Sequence, residues 1–371
     1  MKTKIALGIV LTALVPLLYS SPCSASSTEV VLKGNVHYLD KENLSLAQKF
    51  DRAAQEFRKT GKGDAYFTGY TFLSRHEIHQ GSYDDGSRPY VITAEEGHIR
   101  RKRAYREKSG EISSTEEGNE VVGLVLLHKT AGGSTQIADV EMIDLDNTYD
   151  FTEIPIYWLG EADNEESFRT LTDAFQPGDT KLDKTMLFVI SSHVYPGVYG
   201  FLQGVAQGSY ETGIRENAIF WLGSFKDERS LKILGEIFKK TDETKIKKQV
   251  VFAYQLNASD EAIDELIRIA KNDGDPTIRK EAVFWLGQKA SEKSVKALKG
   301  VVEDANEETK VKESAVFAIS RLPEEKCVPI LIDIARSNKN PKVKKQAIFW
   351  LGQKDSDEVL EFFEEILLKK K

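Results

Sequence analysis

The residues best suited to chemistry are the histidines, and five of the six lie before residue 130: His37, His76, His79, His98 and His128. Two of them bracket the segment His76-Glu77-Ile78-His79. Zinc proteases place two histidines four residues apart on a helix, with a glutamate between them. Here the separation is three residues on a predicted strand, which directs the two rings to opposite faces. We therefore expect surface histidines, and we predict no metal and no cofactor.

A second candidate is the basic run Ile99-Arg100-Arg101-Lys102-Arg103, which Arg106 and Lys108 follow closely. Dense basic clusters can contact phosphate groups. The whole chain carries a formal net charge of −7, whereas nucleic-acid-binding domains carry a basic excess, so we predict no nucleic-acid partner. We interpret the run as a solvated edge strand whose charges discourage strand addition, with an anionic envelope partner as the alternative.

Sequence motifs of nucleophilic and nucleotide chemistry are missing, since the chain has no G-x-S-x-G, P-loop or Rossmann fingerprint. The chain has two cysteines, Cys23 and Cys327. If Cys23 is removed with an N-terminal signal, Cys327 stands alone and no internal disulfide forms. Its repeat position favours a small apolar side chain between helices, with a reactive thiol as the alternative.

The first 25 residues are typical of an export signal. Lys2 and Lys4 precede the apolar run 5–19, which is too short for a comfortable membrane span. Cys23-Ser24-Ala25 places small side chains before a cleavage after Ala25. We therefore expect an exported mature chain that begins near Ser26, in the bacterial periplasm.

Lipid attachment through Cys23, a retained N-terminal anchor and an extracellular location are the alternatives to periplasmic export. Pro22 immediately before Cys23, with no Leu-small-small run leading into it, disfavours lipid attachment. No later window approaches 18 consecutive apolar residues, so we expect no transmembrane span in the mature chain.

The second half of the chain repeats with a period of 32 or 33 residues. Three columns keep this period: Phe220, Phe252, Phe284, Phe317 and Phe349; Ile214, Ile246, Ile278, Val311 and Val343; and Leu231, Ile263, Val295, Val328 and Leu360. Three independent columns with one period predict a repeat protein. Residues 181–371 would hold six units, starting near residues 182, 214, 246, 278, 311 and 343.

Each unit is predicted to form two short helices. In the fourth unit, Asp275 and Pro276 are typical of a helix start, and Ser291 is typical of the start of a second helix. The apolar residues that follow each start recur at helical spacing. Neither helix can bury its apolar stripe alone, so we predict that the units stack into an α-solenoid.

The segment from Ile278 to Gly287, Ile-Arg-Lys-Glu-Ala-Val-Phe-Trp-Leu-Gly, resembles the HEAT-repeat family, including the short bacterial HEAT-like repeats related to phycobilisome-lyase repeats. The resemblance covers roughly residues 180–371 and implies a scaffold that binds a protein partner. Relatives that hydroxylate deoxyhypusine carry paired His-Glu motifs in their repeats. Here the repeats contain only His193, so that activity is excluded, and one cysteine behind an export signal does not suit bilin-lyase activity.

Two columns are candidate partner-binding residues. The first holds all four tryptophans, each followed by Leu-Gly: Trp158, Trp221, Trp285 and Trp350. We expect these rings to pack in the core between units, with a solvent-facing aromatic stripe as the alternative.

The second column matches the position where HEAT units often carry a basic residue, frequently opposite an acidic residue of a neighbouring unit: Arg215, Lys247, Arg279, Lys312 and Lys344. The capping residue is Asp275 in one unit but Asn340 in another. We therefore expect no unbroken charge ladder between the units.

The chain divides into an export signal (1–25), a small α+β domain (26–150), a degenerate capping repeat and junction (151–180), and the six repeats. The capping repeat is predicted because Tyr157-Trp158-Leu159-Gly160 copies Phe220-Trp221-Leu222-Gly223. The α+β domain is predicted to hold one helix and a mostly antiparallel sheet. Its predicted elements are strands at 30–32, 36–38, 66–72, 89–93, 121–127 and 137–145, a helix at 44–59 and an exposed loop at 108–118.

The favoured function is an exported, non-enzymatic scaffold or adaptor that binds a protein partner through the solenoid surface. Two alternatives stay open. One is a periplasmic enzyme whose site in the N-terminal domain uses His76 or His98 with nearby acids, and the other is a self-assembling structural subunit of the envelope. The sequence leaves the oligomeric state and the identity of the partner open.

Overall fold

The computed structural model describes residues 30–41, 43–61, 63–76, 90–95, 98–103 and 119–368. These residues form a domain built on one β-sheet, followed by a stack of helices. The predicted fold class, a small sheet domain ahead of an α-solenoid, is therefore confirmed. The predicted signal (1–25), His79 and the predicted loop at 108–118 lie outside the described residues, and their interpretation stays a prediction.

Seven strands and two helices of the described residues form the sheet domain: β1 (Val31–Tyr38), α1 (Leu46–Thr60), β2 (Ala65–Ser74), β3 (Tyr90–Glu95), β4 (His98–Arg103), β5 (Glu120–Ala131), β6 (Ser134–Ile143), β7 (Thr148–Glu161) and α2 (Asn164–Ala174). The order of the main sheet is β4-β3-β7-β2-β5-β6, and β1 pairs with the free edge of β7. Residues 98–103, which include most of the basic run, form β4 at the end of the sheet order, whereas Arg106 and Lys108 lie outside the described residues.

The sheet is mixed, which corrects the expectation of a mostly antiparallel one. Strand β7 pairs in parallel with β1, β2 and β3, whereas the pairs β2–β5, β3–β4 and β5–β6 are antiparallel. Strands β2 and β3 share one edge of β7, and β1 occupies the other. Parallel pairing requires long crossovers rather than hairpins, so it cannot be inferred from short turns between neighbouring strands.

The two ends of the sheet curl towards each other. The backbone N–H of Ile99 on β4 donates to Asp139 Oδ2 on β6 at 2.9 Å. The curled sheet encloses its own core, which includes Phe67, Ile92, Phe151 and Trp158. Helices α1 and α2 cover the opposite face, where their apolar side chains join the core of the solenoid. The sheet domain and the solenoid therefore share one continuous hydrophobic core.

The predicted capping repeat at 151–180 is wrong in its first half, because residues 148–161 form strand β7. Pro155 disfavours a helix here, and it lies where the register between β1 and β7 is interrupted. Trp158 is 7% exposed inside the curled sheet. Gly160 has a φ of +82°, unlike the helical glycines that follow the other tryptophans. The second half of the prediction is a helix, α2.

Six helix pairs follow, in agreement with the predicted periods: α3 (Thr180–Ser192) and α4 (Gly197–Gln207); α5 (Thr212–Ser224) and α6 (Glu228–Lys240); α7 (Thr244–Asn257) and α8 (Asp260–Asn272); α9 (Pro276–Lys289) and α10 (Glu292–Glu303); α11 (Thr309–Ser320) and α12 (Glu324–Ser337); α13 (Pro341–Leu351) and α14 (Asp357–Leu368). We number these pairs as units 1 to 6 and call their members first and second helices.

Side-chain caps start the helices at the predicted positions. Asp275 accepts the backbone N–H of Thr277 at the start of α9, and Ser291 accepts the backbone N–H of Ser294 at the start of α10. Successive first helices pack closely against one another, whereas successive second helices are more widely separated. The first helices therefore form the tighter of the two helical layers.

Cys327 is buried in α12, with its pKa raised by desolvation, so the predicted role in packing is confirmed. In the described part of the chain, no helix combines the length and apolar character needed to cross a bilayer.

Candidate functional site

The first helices carry a continuous line of aromatic side chains, which we call the aromatic row: Phe188, Phe220, Trp221, Phe252, Phe284, Trp285, Phe317, Phe349 and Trp350. Each ring is partly exposed rather than fully buried. Phe284 is 39% exposed and Phe349 is 55% exposed. The row therefore presents apolar surface along the whole layer of first helices.

Each tryptophan of the row lies between two phenylalanines. The ring centroid of Trp221 is 5.1 Å from that of Phe188 in the preceding unit and 4.9 Å from that of Phe220 on its own helix. Trp285 and Trp350 repeat this arrangement with their own neighbours, at 4.9 to 5.3 Å. These separations are typical of favourable aromatic pairs, so the rings support each other's orientation.

Tryptophans occur in alternate units because the intervening units supply small residues. Gly223, two residues after Trp221, packs so closely on Ala253 that an added Cβ would lie 2.8 Å from its Cα. Gly287 packs in the same way on Ala318. Ala253 and Ala318 occupy the tryptophan column in units 3 and 5. Close helix contact beneath the row thus explains the Trp-Leu-Gly pattern.

Hydrogen bonds fix two of the indole rings. Trp221 Nε1 donates to Asn217 Oδ1 at 3.2 Å, and Trp285 Nε1 donates to Glu281 Oε1 at 3.0 Å, each one turn earlier on the same helix. Trp158 belongs to the sheet core and not to the row, so the structure brings together only three of the four tryptophans.

The basic column connects neighbouring units rather than facing solvent as a separate surface. The Arg215 guanidinium donates to the carbonyl oxygen of Ala206 and pairs with Glu243 at 2.8 Å. Arg279 donates to the carbonyl oxygen of Asp273 and forms a bidentate pair with Glu307.

The lysines of the same column also contact residues of the solenoid. Lys247 Nζ lies 3.8 Å from Asp273 Oδ2, and Lys344 Nζ donates to the carbonyl oxygen of Arg336. Lys312 is buried, at 7% exposed. Ion pairs and hydrogen bonds from the basic column therefore join several units, and their spacing follows the repeat.

Replacing Arg279 with alanine is expected to lower the free energy of unfolding by about 2 kcal/mol, the loss typical of hydrogen bonds to charged groups. The reason is that Glu307, whose side chain is 5% exposed, would keep its charge and lose its bidentate partner. Chemical unfolding followed by circular dichroism measures the change. Lys248→Ala is the control, because its pair with Glu281 at 3.6 Å is more exposed and should contribute about 0.5 kcal/mol or less. Equal losses in the two variants would contradict a structural role for Arg279.

The expectation of surface histidines is wrong for two residues of the sheet domain. His128 is buried, accepts or donates a 2.8 Å hydrogen bond with Thr68 Oγ1, and has its pKa lowered to about 3 by desolvation. His76 is partly buried, with its ring 6.2 Å from that of Phe188 and 6.0 Å from that of Trp221. His76 therefore extends the aromatic row towards the sheet domain.

His98, the other histidine of the enzyme hypothesis, contacts a different element from His76. Its Nδ1 atom lies 3.4 Å from Asp139 Oδ2 on β6. The two oxygens of this carboxylate also accept the backbone N–H groups of Ile99 and Val140. The structure places His76 against α3 and α5 and His98 against β6, so the two histidines do not form one site.

A buried hydrogen-bonded chain joins the sheet to the first unit. His193 Nδ1 lies 2.8 Å from the carbonyl oxygen of Val189, and His193 Nε2 lies 2.7 Å from Ser167 Oγ. A carbonyl only accepts, which assigns the proton to Nδ1 and makes Nε2 the acceptor from the Ser167 hydroxyl. The Tyr70 hydroxyl then donates to Ser167 Oγ at 2.9 Å. Desolvation lowers the pKa of His193 to about 4, so the ring is neutral at pH 7.

This chain contains a serine hydrogen-bonded to a histidine, the pairing that activates a nucleophile. However, Tyr70, Ser167 and His193 are each 0% exposed, so no substrate reaches the Ser167 hydroxyl in this conformation. Arg75 reinforces the junction by donating twice to the carbonyl oxygen of His193 and by lying 4.3 Å above the Phe225 ring. The arrangement fixes the sheet domain against the solenoid.

Arg75 belongs to no motif or repeated column, and Ser167 was recognised only as the counterpart of Ser230 in the capping repeat, 63 residues earlier. His193 carried a weak signal as the single histidine within the repeats. A single histidine excludes the paired His-Glu motifs of deoxyhypusine hydroxylation but does not predict its contacts with Ser167 on α2 and, through Ser167, with Tyr70 on β2.

No protein-family model matches the chain, and no curated protein matches it either. Solved structures show a limited likeness, each over 54% of this chain. Human deoxyhypusine hydroxylase in complex with glycerol is 15% identical over 85% of its chain, with a TM-score of 0.25. The YibA protein of Escherichia coli is 15% identical over 81%, with a TM-score of 0.31. The complex of CpcE and CpcF of phycocyanin lyase from Nostoc sp. PCC7120 is 12% identical over 92%, with a TM-score of 0.30. At these scores none of them transfers a function to this chain.

Proposed function

We propose that this chain is an exported, non-enzymatic scaffold that binds a protein partner along the aromatic row. The single observation that carries the proposal is the row itself, with rings held on six adjacent helices and partly exposed throughout. Aromatic side chains are enriched among the residues that contribute most to protein interfaces. A rigid stack of helices displays them with little loss of conformational entropy on binding.

The spacing of the row fits an extended segment of the partner. Packed helices lie about 8–10 Å apart, so each unit advances the row by about that distance. A polyproline II segment advances about 9 Å per three-residue turn and docks on aromatic surfaces. One apolar side chain or proline per turn would then meet one unit.

Two further observations support a non-enzymatic role. The Ser167–His193 pair is fully buried, and the histidines of the enzyme hypothesis, His76 and His98, contact different elements.

The double variant Phe284→Gln and Phe349→Gln is expected to reduce partner capture at least tenfold, because it removes two exposed contacts of the row. Both side chains are substantially exposed, so the fold should tolerate the change. The measurement is affinity capture from an envelope extract of the producing cells, with the bound protein quantified by mass spectrometry. Leu360→Gln is the matched control, since Leu360 is 60% exposed on the second helix α14. Capture of the same protein at equal yield by both variants would contradict the proposal.

Export is proposed from the sequence of the first 25 residues. The intact mass of the protein recovered from producing cells is expected to match a chain that begins near Ser26. The mass of the full-length chain would show that the N-terminal segment is retained. A mass that includes a lipid on Cys23 would show lipid attachment.

A further inference from the structure

A groove with a volume of about 880 Å³ lies on the side of the solenoid formed by the second helices. It runs over α10 and is flanked by α8 and α12. Its apolar floor includes Ile267, Val295 and Ile330, which come from all three helices and are partly exposed. The groove is separate from the aromatic row, which belongs to the first helices.

The helix α10 carries a glycine, Gly300, at an outward position that lines the groove. Gly300 has open space where a Cβ would stand. At the same position of the repeat, units 2, 3 and 5 carry the larger residues Glu236, Arg268 and Asp333. A glycine in a helix interior costs about 1 kcal/mol relative to alanine, so helix stability does not explain its presence.

The rim of the groove is basic. Five lysines line it: Lys271, Lys293, Lys296, Lys299 and Lys326. Asp264, Glu292 and Glu303 also line it, and Asp264 pairs with Lys293, which leaves an excess of positive charge. This excess lies on a chain whose formal net charge is −7. The groove is therefore a local positive surface with an apolar floor.

We propose that the groove binds an acidic amphipathic helix of a protein partner. Its length is set by α10, which has twelve residues and so spans about 18 Å, or about three helical turns. Gly300 lets a partner helix approach α10, the apolar floor receives its apolar stripe, and the lysines pair with carboxylates on both sides of that stripe. Helix-in-groove binding of this kind uses apolar anchors at positions i, i+3, i+4 and i+7.

The charge and the shape of the groove together favour an acidic helix over other anionic ligands. Nucleic acids would use the lysines but not the apolar floor. An anionic lipid would use the lysines through its headgroup and the floor through its acyl chain, but it would not require the space over the α10 backbone at Gly300. Only an amphipathic helix uses the rim, the floor and the glycine together.

The test measures the fluorescence anisotropy of a labelled peptide with the full-length protein. The probe is an 18-residue capped helix with leucines on one face and glutamates beside them; the comparison peptide has lysines in place of the glutamates. Gly300→Arg fills the groove and is expected to weaken binding of the acidic peptide at least tenfold. Gly204→Arg is the matched control, because Gly204 is the equivalent residue of unit 1, has equally open space, and lies outside the lysine groove. Circular dichroism confirms that both variants fold.

Saturable binding of the acidic peptide that weakens with salt, is lost in Gly300→Arg and is kept in Gly204→Arg supports the proposal. Equal binding by the two variants, or preference for the basic peptide, would overturn it. Binding of phosphatidylglycerol vesicles in place of the peptide would assign the groove to lipid. Concentration-dependent self-association that Gly300→Arg abolishes would assign it to a second copy. Phe284→Gln changes the aromatic row but leaves the groove intact. A failure of helix binding in the groove is therefore distinguishable from a failure of partner binding along the aromatic row.

Discussion

Replacing Gly223 with valine is expected to lower the free energy of unfolding by about 3 kcal/mol, at the upper end of typical overpacking costs. An added Cβ would lie 2.8 Å from the Cα, the Cβ and the carbonyl oxygen of Ala253. Two of these atoms belong to the backbone of the next first helix, so no side-chain rotation relieves the contact. The helices α5 and α7 would have to separate, and the contacts beneath the aromatic row would loosen.

Gly204→Ala is the control for this prediction. Gly204 lies within α4 and has open space around its Cβ position, so alanine should stabilise the protein by about 0.5–1 kcal/mol through its higher helix propensity. Urea unfolding monitored by circular dichroism at 222 nm measures both variants. If Gly223→Val lowered the free energy of unfolding by less than a substitution at an exposed helical position does, close helix contact would not explain the Trp-Leu-Gly pattern.

Acidification from pH 6.5 towards pH 4 is expected to destabilise the junction between the sheet and the solenoid by about 3 kcal/mol through His193 alone. Desolvation lowers the pKa of His193 to about 4 in the folded protein, whereas an unfolded histidine titrates near 6.5. Between these values the unfolded chain binds a proton that the folded chain excludes. Stability therefore falls as the pH falls through this window, and His128, with a pKa lowered to about 3, adds in the same direction.

The variant His193→Gln separates the titration of His193 from the titration of all other groups. The variant should be less stable than the wild type at pH 7, because it loses the bonds to Val189 and Ser167. Its stability should nevertheless depend less steeply on pH between 6.5 and 4.5, since glutamine does not titrate. The measurement is a series of urea unfolding curves across that range. Parallel pH profiles for the two proteins would contradict a neutral, buried His193.

The repeats could be predicted because each unit is encoded locally. A helical unit of about 32 residues needs a cap, an apolar stripe and a stop, and each of these leaves a pattern that recurs at a fixed period. The caps at Asp275 and Ser291 and the buried Cys327 follow directly from such patterns. The paired period of tryptophan and alanine also leaves a pattern, although its cause is the tertiary contact of Gly223 with Ala253 in the next unit.

The strand β7 could not be predicted because its sequence copies a helical motif. Trp158-Leu159-Gly160 matches the tryptophan motif of the repeats, yet Trp158 is a core residue of the sheet and Gly160 has a positive φ. What decides the conformation is pairing with β1, β2 and β3, whose paired residues lie 59 to 120 positions earlier in the chain. Tertiary pairing of this kind overrides local pattern.

The candidate site shows the same division between local and distant causes. Helical periodicity placed Trp221, Trp285 and Trp350 in one column, but their partial exposure depends on how the first helices curve and pack. The basic column was also placed by period, whereas its partners Glu243 and Glu307 come from the loops of the following units. The junction of Tyr70, Ser167 and His193 could not be predicted as a site, because its three members come from separate elements.

Site-specific photocrosslinking tests whether the aromatic row is the surface that binds a protein partner. p-Benzoylphenylalanine replaces Phe284 in one protein, Phe349 in a second and Leu360 in a third, and each protein is irradiated inside the cells that produce it. We expect a covalent protein adduct of the same partner at positions 284 and 349, and no such adduct at position 360. Adducts at position 360 alone, or no adduct at either row position, would contradict binding along the aromatic row.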